Sequence, residues 1–212
     1  MSLADAPALY LSFASLHVLA GHLGASTIYW LRYRKSPLVL YRREPGVTRS
    51  AHGRATRFVS VASVGWAASL IATTFSPALR ASLPGRTMVD VPPAVGWSIA
   101  LVGLVIMVTS QAAMGDVFRI GQDEREPPRG LRRSGLHALS RNPIYVGSWT
   151  YLLGMTLWHP SVLLVVCLGL VGAGIHGLVR AEERFLRGTF GDAFETYARR
   201  TPRYLGIPRG AS

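Results

Sequence analysis

Apolar residues gather in five long runs along the chain, separated by short polar and basic stretches. The runs cover residues 8–31, 58–79, 91–114, 144–157 and 161–179. Four of them are close to the length of about 20 residues that an α-helix needs to cross a hydrocarbon core of roughly 30 Å, and the run 144–157 is shorter. We therefore predict an all-α integral membrane bundle of about five transmembrane helices.

The last two apolar runs are separated only by Trp158, His159 and Pro160, a sequence typical of a tight turn. They are therefore predicted to form a helical hairpin, which either crosses the bilayer thinly or leans against the other helices. Because the chain has no internal repeat or low-complexity tract, we expect a single membrane domain. Within it, residues 1–114 form a three-helix scaffold, and residues 115–212 hold most of the polar side chains that could do chemistry.

A net charge of +12 in a chain of 212 residues would usually suggest a nucleic-acid partner. Here the basic residues lie in blocks between the apolar runs and no nucleic-acid-binding motif is present, so contact with anionic lipid head groups is the better interpretation. Basic residues are dense in 32–57 and from Arg180 onward, and absent before the first run and at the hairpin turn. By the positive-inside rule, this predicts a protein of the cell membrane with its amino terminus outside and its carboxyl terminus in the cytoplasm.

Cysteine and histidine usage gives no sign of a metal site. The single cysteine, Cys167, lies inside an apolar run, which excludes an intramolecular disulfide and suits simple packing. His17 and His22 are five positions apart in the first run, a spacing that does not place two side chains on one helical face. No metal is therefore predicted.

The stretch Gly135–Gly147, GLHALSRNPIYVG, places polar side chains at the start of the fourth apolar run. Pro143 suits the first turn of a helix, where backbone N–H groups lack intrahelical partners and attract an anion. Arg141 could add a bidentate grip on a carboxylate. The alternatives are that Arg141 contacts lipid phosphate, that His137 is a solvated loop residue, and that Tyr145 belongs to an aromatic belt at the membrane surface.

Two adjacent carboxylates, Glu182 and Glu183, follow Arg180 where the fifth run ends. Neighbouring helical positions point in different directions, so one carboxylate could face a pocket while the other pairs with an arginine. Carboxylate oxygens in a pocket suit a ligand with an amino group or ribose hydroxyls. The alternative is that both pair with Arg180, Arg184 or Arg187 along the helix. The residues alone thus predict a membrane protein with a polar, anion-binding pocket on its cytosolic side.

The last hundred residues carry an ordered set of motifs: GDVFRIG, a proline-rich link, GLHALSRNPIYVG, an apolar hairpin, EERFL and FGDAFETYARRTPRYLG. In this order they resemble the isoprenylcysteine carboxyl methyltransferase family and its phospholipid methyltransferase relatives. The family core is Arg-His-Pro-x-Tyr-x-Gly, which Arg141, Pro143, Tyr145 and Gly147 match while Asn142 replaces the histidine. Asparagine keeps a hydrogen-bonding head but cannot carry a positive charge, so no role that needs a protonated imidazole is expected there.

This resemblance implies S-adenosylmethionine as the methyl donor, bound on the cytosolic side, and a lipophilic or lipidated acceptor that enters from the bilayer. The residues that it implies for the cofactor pocket are His137, Arg141, Asn142, Pro143, Tyr145, Gly147, Glu182 and Glu183. It also implies catalytic roles for Tyr145 and for Arg180, which would lie near the methyl group and orient an acceptor carboxylate. Tyr197 and Arg203 would belong to a cytosolic cover.

In-line displacement at an activated methyl group needs alignment and exclusion of water more than a catalytic triad or a metal. A carboxylate acceptor needs no general base, whereas an amine or thiol needs one, with His137 or a glutamate as candidates. A phospholipid, amine or thiol methyltransferase therefore stays open beside the carboxyl methyltransferase. Two further alternatives are a sterol-type membrane reductase, which has a similar Arg-His-Pro-x-Tyr stretch but usually more spans, and an inactive membrane scaffold, which Asn142 would suit.

Overall fold

The computed structural model describes residues 25–34, 51–82, 91–115, 128, 130–158 and 160–206. Regular secondary structure in these residues is entirely helical. The helices are α1 (Ala25–Tyr33), α2 (Ala51–Phe75), α3 (Pro77–Ser82), α4 (Pro93–Met114), α5 (Leu136–Leu139), α6 (Pro143–Trp158), α7 (Val162–Phe190) and α8 (Asp192–Arg200). The predicted all-α class is confirmed.

Among the described residues, three helices are long and apolar enough to cross a membrane: α2 over His52–Phe75, α4 over Pro93–Met114 and α7 over Val162–Phe190. They overlap the second, third and fifth apolar runs of the sequence. The fourth run corresponds to α6, which has only 16 residues. Most of the first predicted span, 8–31, lies outside the described residues. The described part of the chain therefore supports a helical membrane bundle with three candidate spans.

α4 and α6 pack antiparallel along a seam of glycines, in which Gly96 lies opposite Gly154 and Gly103 lies opposite Gly147. A Cβ atom added at Gly96 would lie 2.8 Å from the carbonyl oxygen of Gly154, and one added at Gly147 would lie 2.7 Å from that of Gly103. Neither separation leaves room for a side chain. The two backbones therefore touch directly, as small residues allow in membrane helix pairs.

α6 and α7 are consecutive helices, as the predicted hairpin requires, and each packs mainly on a different partner. α6 packs on α4, whereas α7 packs antiparallel on α2. On α7, Gly174 makes room for the side chain of Phe58 and Gly177 lies against Ala55. A polar contact also joins α2 to α6, where Trp66 Nε1 donates to Thr156 Oγ1 over 3.0 Å. The apolar core lies among these four helices.

The last third of α7 continues beyond the core and forms a polar end of the molecule with α5, the start of α6, α8 and the segment 201–206. This segment folds back onto the start of α6, where Arg141 N donates to Pro202 O over 2.9 Å. α8 is attached to α5 by Tyr197 Oη, which donates to the carbonyl oxygen of His137 over 2.5 Å. Elements far apart in sequence are thus brought together around one cavity.

Candidate functional site

A cavity lies at the polar end, between the start of α6, the last third of α7 and α8. Seven of the eight side chains implied for the cofactor pocket contribute to its lining: His137, Arg141, Asn142, Pro143, Tyr145, Glu182 and Glu183. The apolar part of the lining includes Met114, Leu131, Ile144, Phe185, Leu186 and Phe194. The cavity therefore combines a few polar groups with apolar walls, as small-molecule sites usually do.

The start of α6 is fixed by hydrogen bonds around Asn142 and Pro143. Ser140 Oγ accepts from the backbone N–H of Asn142 over 3.1 Å, and the carbonyl oxygen of Asn142 accepts from Val146 N. Pro143 occupies the first helical position, where the lack of an N–H costs no hydrogen bond. Asn142, Pro143, Ile144 and Tyr145 all line the cavity, so the amino-terminal end of this helix, which attracts anions, lies at the cavity.

Glu183 is almost completely buried, with 2% of its surface exposed, and it is held by two arginines and one asparagine. Its Oε1 accepts from Arg141 Nε over 2.9 Å and from Asn142 Nδ2 over 3.2 Å. Its Oε2 accepts from Arg141 Nη2 over 3.3 Å and from Arg203 Nε over 3.0 Å. We call these four residues the Glu183 clamp. Both carboxylate oxygens are therefore fully engaged within the protein.

Arg141 also donates two hydrogen bonds to backbone carbonyls. Its Nη1 donates to the carbonyl oxygen of Ala198 over 2.9 Å and to that of Thr201 over 2.7 Å. The bidentate grip expected of Arg141 is thus made on Glu183 and not on a ligand. By joining α7, the end of α8 and the start of α6, Arg141 fixes the shape of the cavity.

Glu182 differs from its neighbour, because it lines the cavity and pairs with no arginine among the described residues. Its Oε2 accepts a hydrogen bond of 3.0 Å from Tyr145 Oη, and both residues line the cavity. We call these two residues the Tyr145–Glu182 pair. This division, in which Glu182 faces the cavity while Glu183 pairs with arginine, agrees with what the helical positions of two adjacent carboxylates suggest.

His137 is buried, with 6% of its surface exposed, and it lines the same cavity. Its Nδ1 atom has no hydrogen-bond partner among the described residues. Burial lowers the pKa of His137, and the nearby positive charge of Arg132 lowers it further. The imidazole is therefore neutral at pH 7, with a ring nitrogen available to a ligand. The alternative of a solvated loop residue does not fit this burial.

Two residues implied for the site lie elsewhere. Gly147 belongs to the seam, where a Cβ would lie 2.5 Å from the backbone nitrogen of Met107 on α4. Arg180 is exposed and does not line the cavity. The reason lies in the helix, because side chains two positions apart point about 200° from each other, so Arg180 and Glu182 face nearly opposite directions. The catalytic role implied for Arg180 stays a prediction.

Of the two residues expected in a cytosolic cover, one lines the cavity and the other lies outside it. Tyr197 is buried and lines the cavity. Arg203 binds Glu183 and secures the segment 201–206 from outside. Sequence reasoning missed the apolar wall formed by Phe185 and Phe194. The available signal was that each aromatic residue lies in an otherwise charged stretch, EERFL or GDAFE.

Within the described part of the chain, no group of three or more His, Cys, Asp or Glu side chains is placed to hold a metal ion. The candidate site is therefore a cavity lined by one engaged and one available carboxylate, a neutral imidazole and aromatic walls. Such a site can hold a ligand that combines polar or positively charged groups with a flat apolar part.

Comparison with known proteins adds two findings. Residues 91–193 match the family described as phospholipid methyltransferase. This region contains α4, α6 and α7, and with them the seam and both glutamates. The cobalt-zinc-cadmium resistance protein CzcN of Cupriavidus metallidurans is 36% identical over 86 residues, which cover 39% of this chain and 39% of that protein. The chain therefore matches well under half the length of this relative. The family match confirms the predicted resemblance and supports a membrane methyltransferase.

Proposed function

Since residues 91–193 match the phospholipid methyltransferase family, we propose that the protein is an integral membrane methyltransferase. It would transfer a methyl group from S-adenosylmethionine to a lipophilic acceptor, in the manner of the isoprenylcysteine carboxyl methyltransferases. The observation that carries this proposal is the Tyr145–Glu182 pair, which presents a carboxylate to a cavity inside the matched region.

The residues present fit the proposed methyl donor. S-adenosylmethionine has an amino group, ribose hydroxyls, a carboxylate and a flat adenine. Glu182 offers an acceptor to the amino group or the hydroxyls, and the first turn of α6 suits the carboxylate. His137 Nδ1, buried and without a partner among the described residues, offers a further hydrogen bond. Phe185 and Phe194 supply apolar surface for a flat ring. Bound there, the donor would supply a methyl group on a positively charged sulfur.

The protein's own contribution is then positioning and exclusion of water. The hydroxyl of Tyr145 holds the Glu182 carboxylate in one orientation. Through Arg141 and Arg203, the Glu183 clamp holds the end of α8 and the segment 201–206 against α7, next to the cavity. Neither task needs a metal or a nucleophilic side chain. The residues that meet the cavity bind, and the residues behind them hold the walls in place.

The chemical class of the acceptor decides whether the protein must also move a proton. A carboxylate acceptor needs no base, and this is the assignment that we propose. The runner-up is a phospholipid, amine or thiol methyltransferase, which the neutral His137 would suit because an unprotonated imidazole can accept the acceptor's proton. Both assignments use the same cavity for the donor and differ only in the acceptor.

The donor assignment is tested by titration calorimetry of S-adenosylmethionine with the full chain in detergent. We expect Glu182→Gln and Tyr145→Phe each to weaken binding by about tenfold, the effect of removing one charge-assisted hydrogen bond. Glu195→Gln is the matched control, because it makes the same chemical change at a carboxylate that does not line the cavity, and it should leave the affinity within about twofold. Unchanged binding in both cavity variants would overturn the proposal.

The acceptor assignment is tested by incubating the protein with radiolabelled donor and a total lipid extract. A label released by mild base is a methyl ester and supports a carboxylate acceptor. A label that resists base supports the amine or thiol alternative. If no label is transferred and NADPH is consumed with a lipid alkene, the protein is a reductase and the methyltransferase proposal fails.

A further inference from the structure

The exposed face of α7 changes from apolar to basic within two turns. Val166 and Leu170 are exposed on this face in the first part of the helix. At about 100° per residue, Arg180 lies about 40° around the helix axis from Val166. His176, Arg180 and Arg184 each come four positions after the last, and all three are exposed. Because four positions nearly complete a helical turn, these three side chains lie in a row. The face therefore passes directly from lipid-facing residues to basic ones.

Arg180 lies at the depth of a lipid head group if α7 crosses the bilayer. It follows the first residue of α7, Val162, by eighteen positions, which is about 27 Å along the axis at 1.5 Å per residue. The hydrocarbon core of a bilayer is about 30 Å thick. The first turns of α2, which carry the exposed Arg57, lie at a similar level, because α2 runs antiparallel to α7 with Ala55 opposite Gly177.

The guanidinium of Arg180 forms no ion pair with any described residue. Arg187, two turns further along, is paired with Glu195, and Arg141 and Arg203 are paired with Glu183. Arg180 also points away from the cavity, as shown above. Its positive charge is therefore exposed beside an apolar helix face and is separate from the proposed donor site.

His176 is joined to Tyr204, because His176 Nδ1 and Tyr204 Oη are 2.8 Å apart. This pair lies one turn before Arg180 on α7, and Tyr204 follows Arg203, which binds Glu183. An exposed histidine in a spanning helix is costly in hydrocarbon unless it meets a polar partner. Tyr204 supplies that partner and sets a polar edge beside the row that contains Arg180.

We propose that Arg180, with the His176–Tyr204 pair beside it, binds the phosphate of a membrane phospholipid that carries a net negative charge. The planar guanidinium can donate two parallel hydrogen bonds to phosphate oxygens, and the acyl chains of the same lipid would lie along Val166 and Leu170. Charge complementarity and the adjoining apolar stripe select an anionic lipid over other partners. The site is independent of the proposed donor cavity.

Native mass spectrometry of the full chain in detergent tests this site. The protein is equilibrated with equal concentrations of short-chain phosphatidylglycerol and phosphatidylcholine, and the two bound forms are compared. We expect a preference of at least fivefold for phosphatidylglycerol, which Arg180→Gln reduces to nearly equal binding. The matched control is Arg184→Gln, which removes the same charge about 6 Å further from the apolar stripe and should change the preference less than twofold.

Three results would overturn the proposal: no preference in the unaltered protein, a preference that survives Arg180→Gln, or an equal loss in Arg184→Gln, which would indicate diffuse attraction to the whole basic face. Tyr204→Phe removes only the hydroxyl and should lower the preference severalfold; no change would exclude the His176–Tyr204 pair from the site. If thermal unfolding shows that Arg180→Gln does not fold, Arg180→Lys replaces it. Arg180→Lys keeps the positive charge but lacks the two parallel N–H donors of arginine, so the preference for phosphatidylglycerol should fall severalfold. An unchanged preference in this variant would contradict the proposal.

Discussion

The Glu183 clamp and the Tyr145–Glu182 pair are neighbours on the same two helices, yet one is closed and the other open. In the clamp, two arginines and an asparagine use both oxygens of Glu183, which is 2% exposed. In the pair, a single tyrosine hydroxyl holds one oxygen of Glu182 at the edge of a cavity. The same residue type, one position apart, is thus structural in one case and available to a ligand in the other.

The two glutamates differ because they point in different directions on α7 and because both nearby arginines lie beside Glu183. Successive residues on α7 point about 100° apart, so Glu183 meets Arg141, Asn142 and Arg203 while Glu182 meets Tyr145 on α6. Arg141 and Arg203 both lie on the Glu183 side. A buried carboxylate is tolerated only when it is paired and hydrogen-bonded, which the clamp achieves. Loss of the closed cluster should therefore affect folding, and loss of the open one should affect binding.

The largest effect is expected from Glu183→Ala. It leaves Arg141, whose side chain is 11% exposed, without its counter-charge. Removing one partner of a buried ion pair typically costs about 3–5 kcal/mol. Unfolding in detergent, followed by circular dichroism, should show a loss of this size. Glu195→Ala breaks the exposed pair with Arg187 and should cost about 1 kcal/mol or less. Equal losses in the two variants would show that the clamp is not the stronger cluster.

The two arginines of the clamp should then differ from each other. Arg141→Ala removes four hydrogen bonds from a nearly buried side chain and should cost about 3 kcal/mol. Arg203 is 38% exposed, so Arg203→Ala should cost about 1.5 kcal/mol, the lower end for a hydrogen bond to a charged group. The same unfolding measurement compares them. If Arg203→Ala lowers the free energy of unfolding more than Arg141→Ala does, the clamp stabilises the protein mainly through the segment 201–206.

The open cluster should show the opposite behaviour under Tyr145→Phe. Removing the hydroxyl should change the free energy of unfolding by about 1 kcal/mol or less, because Glu182 meets the cavity and can be solvated there. A double-mutant cycle with Glu182→Gln measures the coupling between the two side chains. A coupling as large as that between Arg141 and Glu183 would mean that the pair is as structural as the clamp.

The smallest effect concerns His137 and pH. Burial lowers its pKa in the folded state, so the unfolded chain binds the proton more readily. The folded state should therefore lose stability as pH falls below about 6.5, the ordinary histidine pKa, and regain it as pH rises. The difference between the unaltered protein and His137→Gln should shrink with acid over this window, measured by unfolding at pH 5 to 8. A difference that is independent of pH would contradict the buried, neutral imidazole.

The sequence allowed the positions of the spans to be predicted better than their ends. The run 91–114 nearly coincides with α4 because Pro92 and Pro93 mark its start and polar residues follow its end. α7 continues eleven residues past the predicted end at Val179, since hydropathy measures the lipid-facing length and not the helix itself. The pairing of α4 with α6 through glycines depends on two helices meeting in space, which no single-helix pattern contains.

The candidate site was predictable in its residue types and less so in their directions. The sequence suggested that one of two adjacent carboxylates meets a pocket, and Glu182 does. It could not show that Arg141 would bind Ala198 and Thr201, because those carbonyls are about sixty positions away. The sequence could have predicted that Arg180 and Glu182 point in nearly opposite directions, because residues two positions apart on a helix do so. The catalytic and cofactor roles of these side chains stay predictions.

The seam between α4 and α6 has a consequence for how the proposed lipophilic acceptor would enter. The backbones of these two helices are in contact at Gly96 and Gly103. Moving the helices apart would leave an unfilled gap between them, so we expect them to move together as one rigid unit. If the proposed acceptor enters from the bilayer, its path to the cavity therefore does not run between α4 and α6. We expect a larger residue at one of these glycines to push α4 and α6 apart and destabilise the fold, before it changes which acceptor is bound.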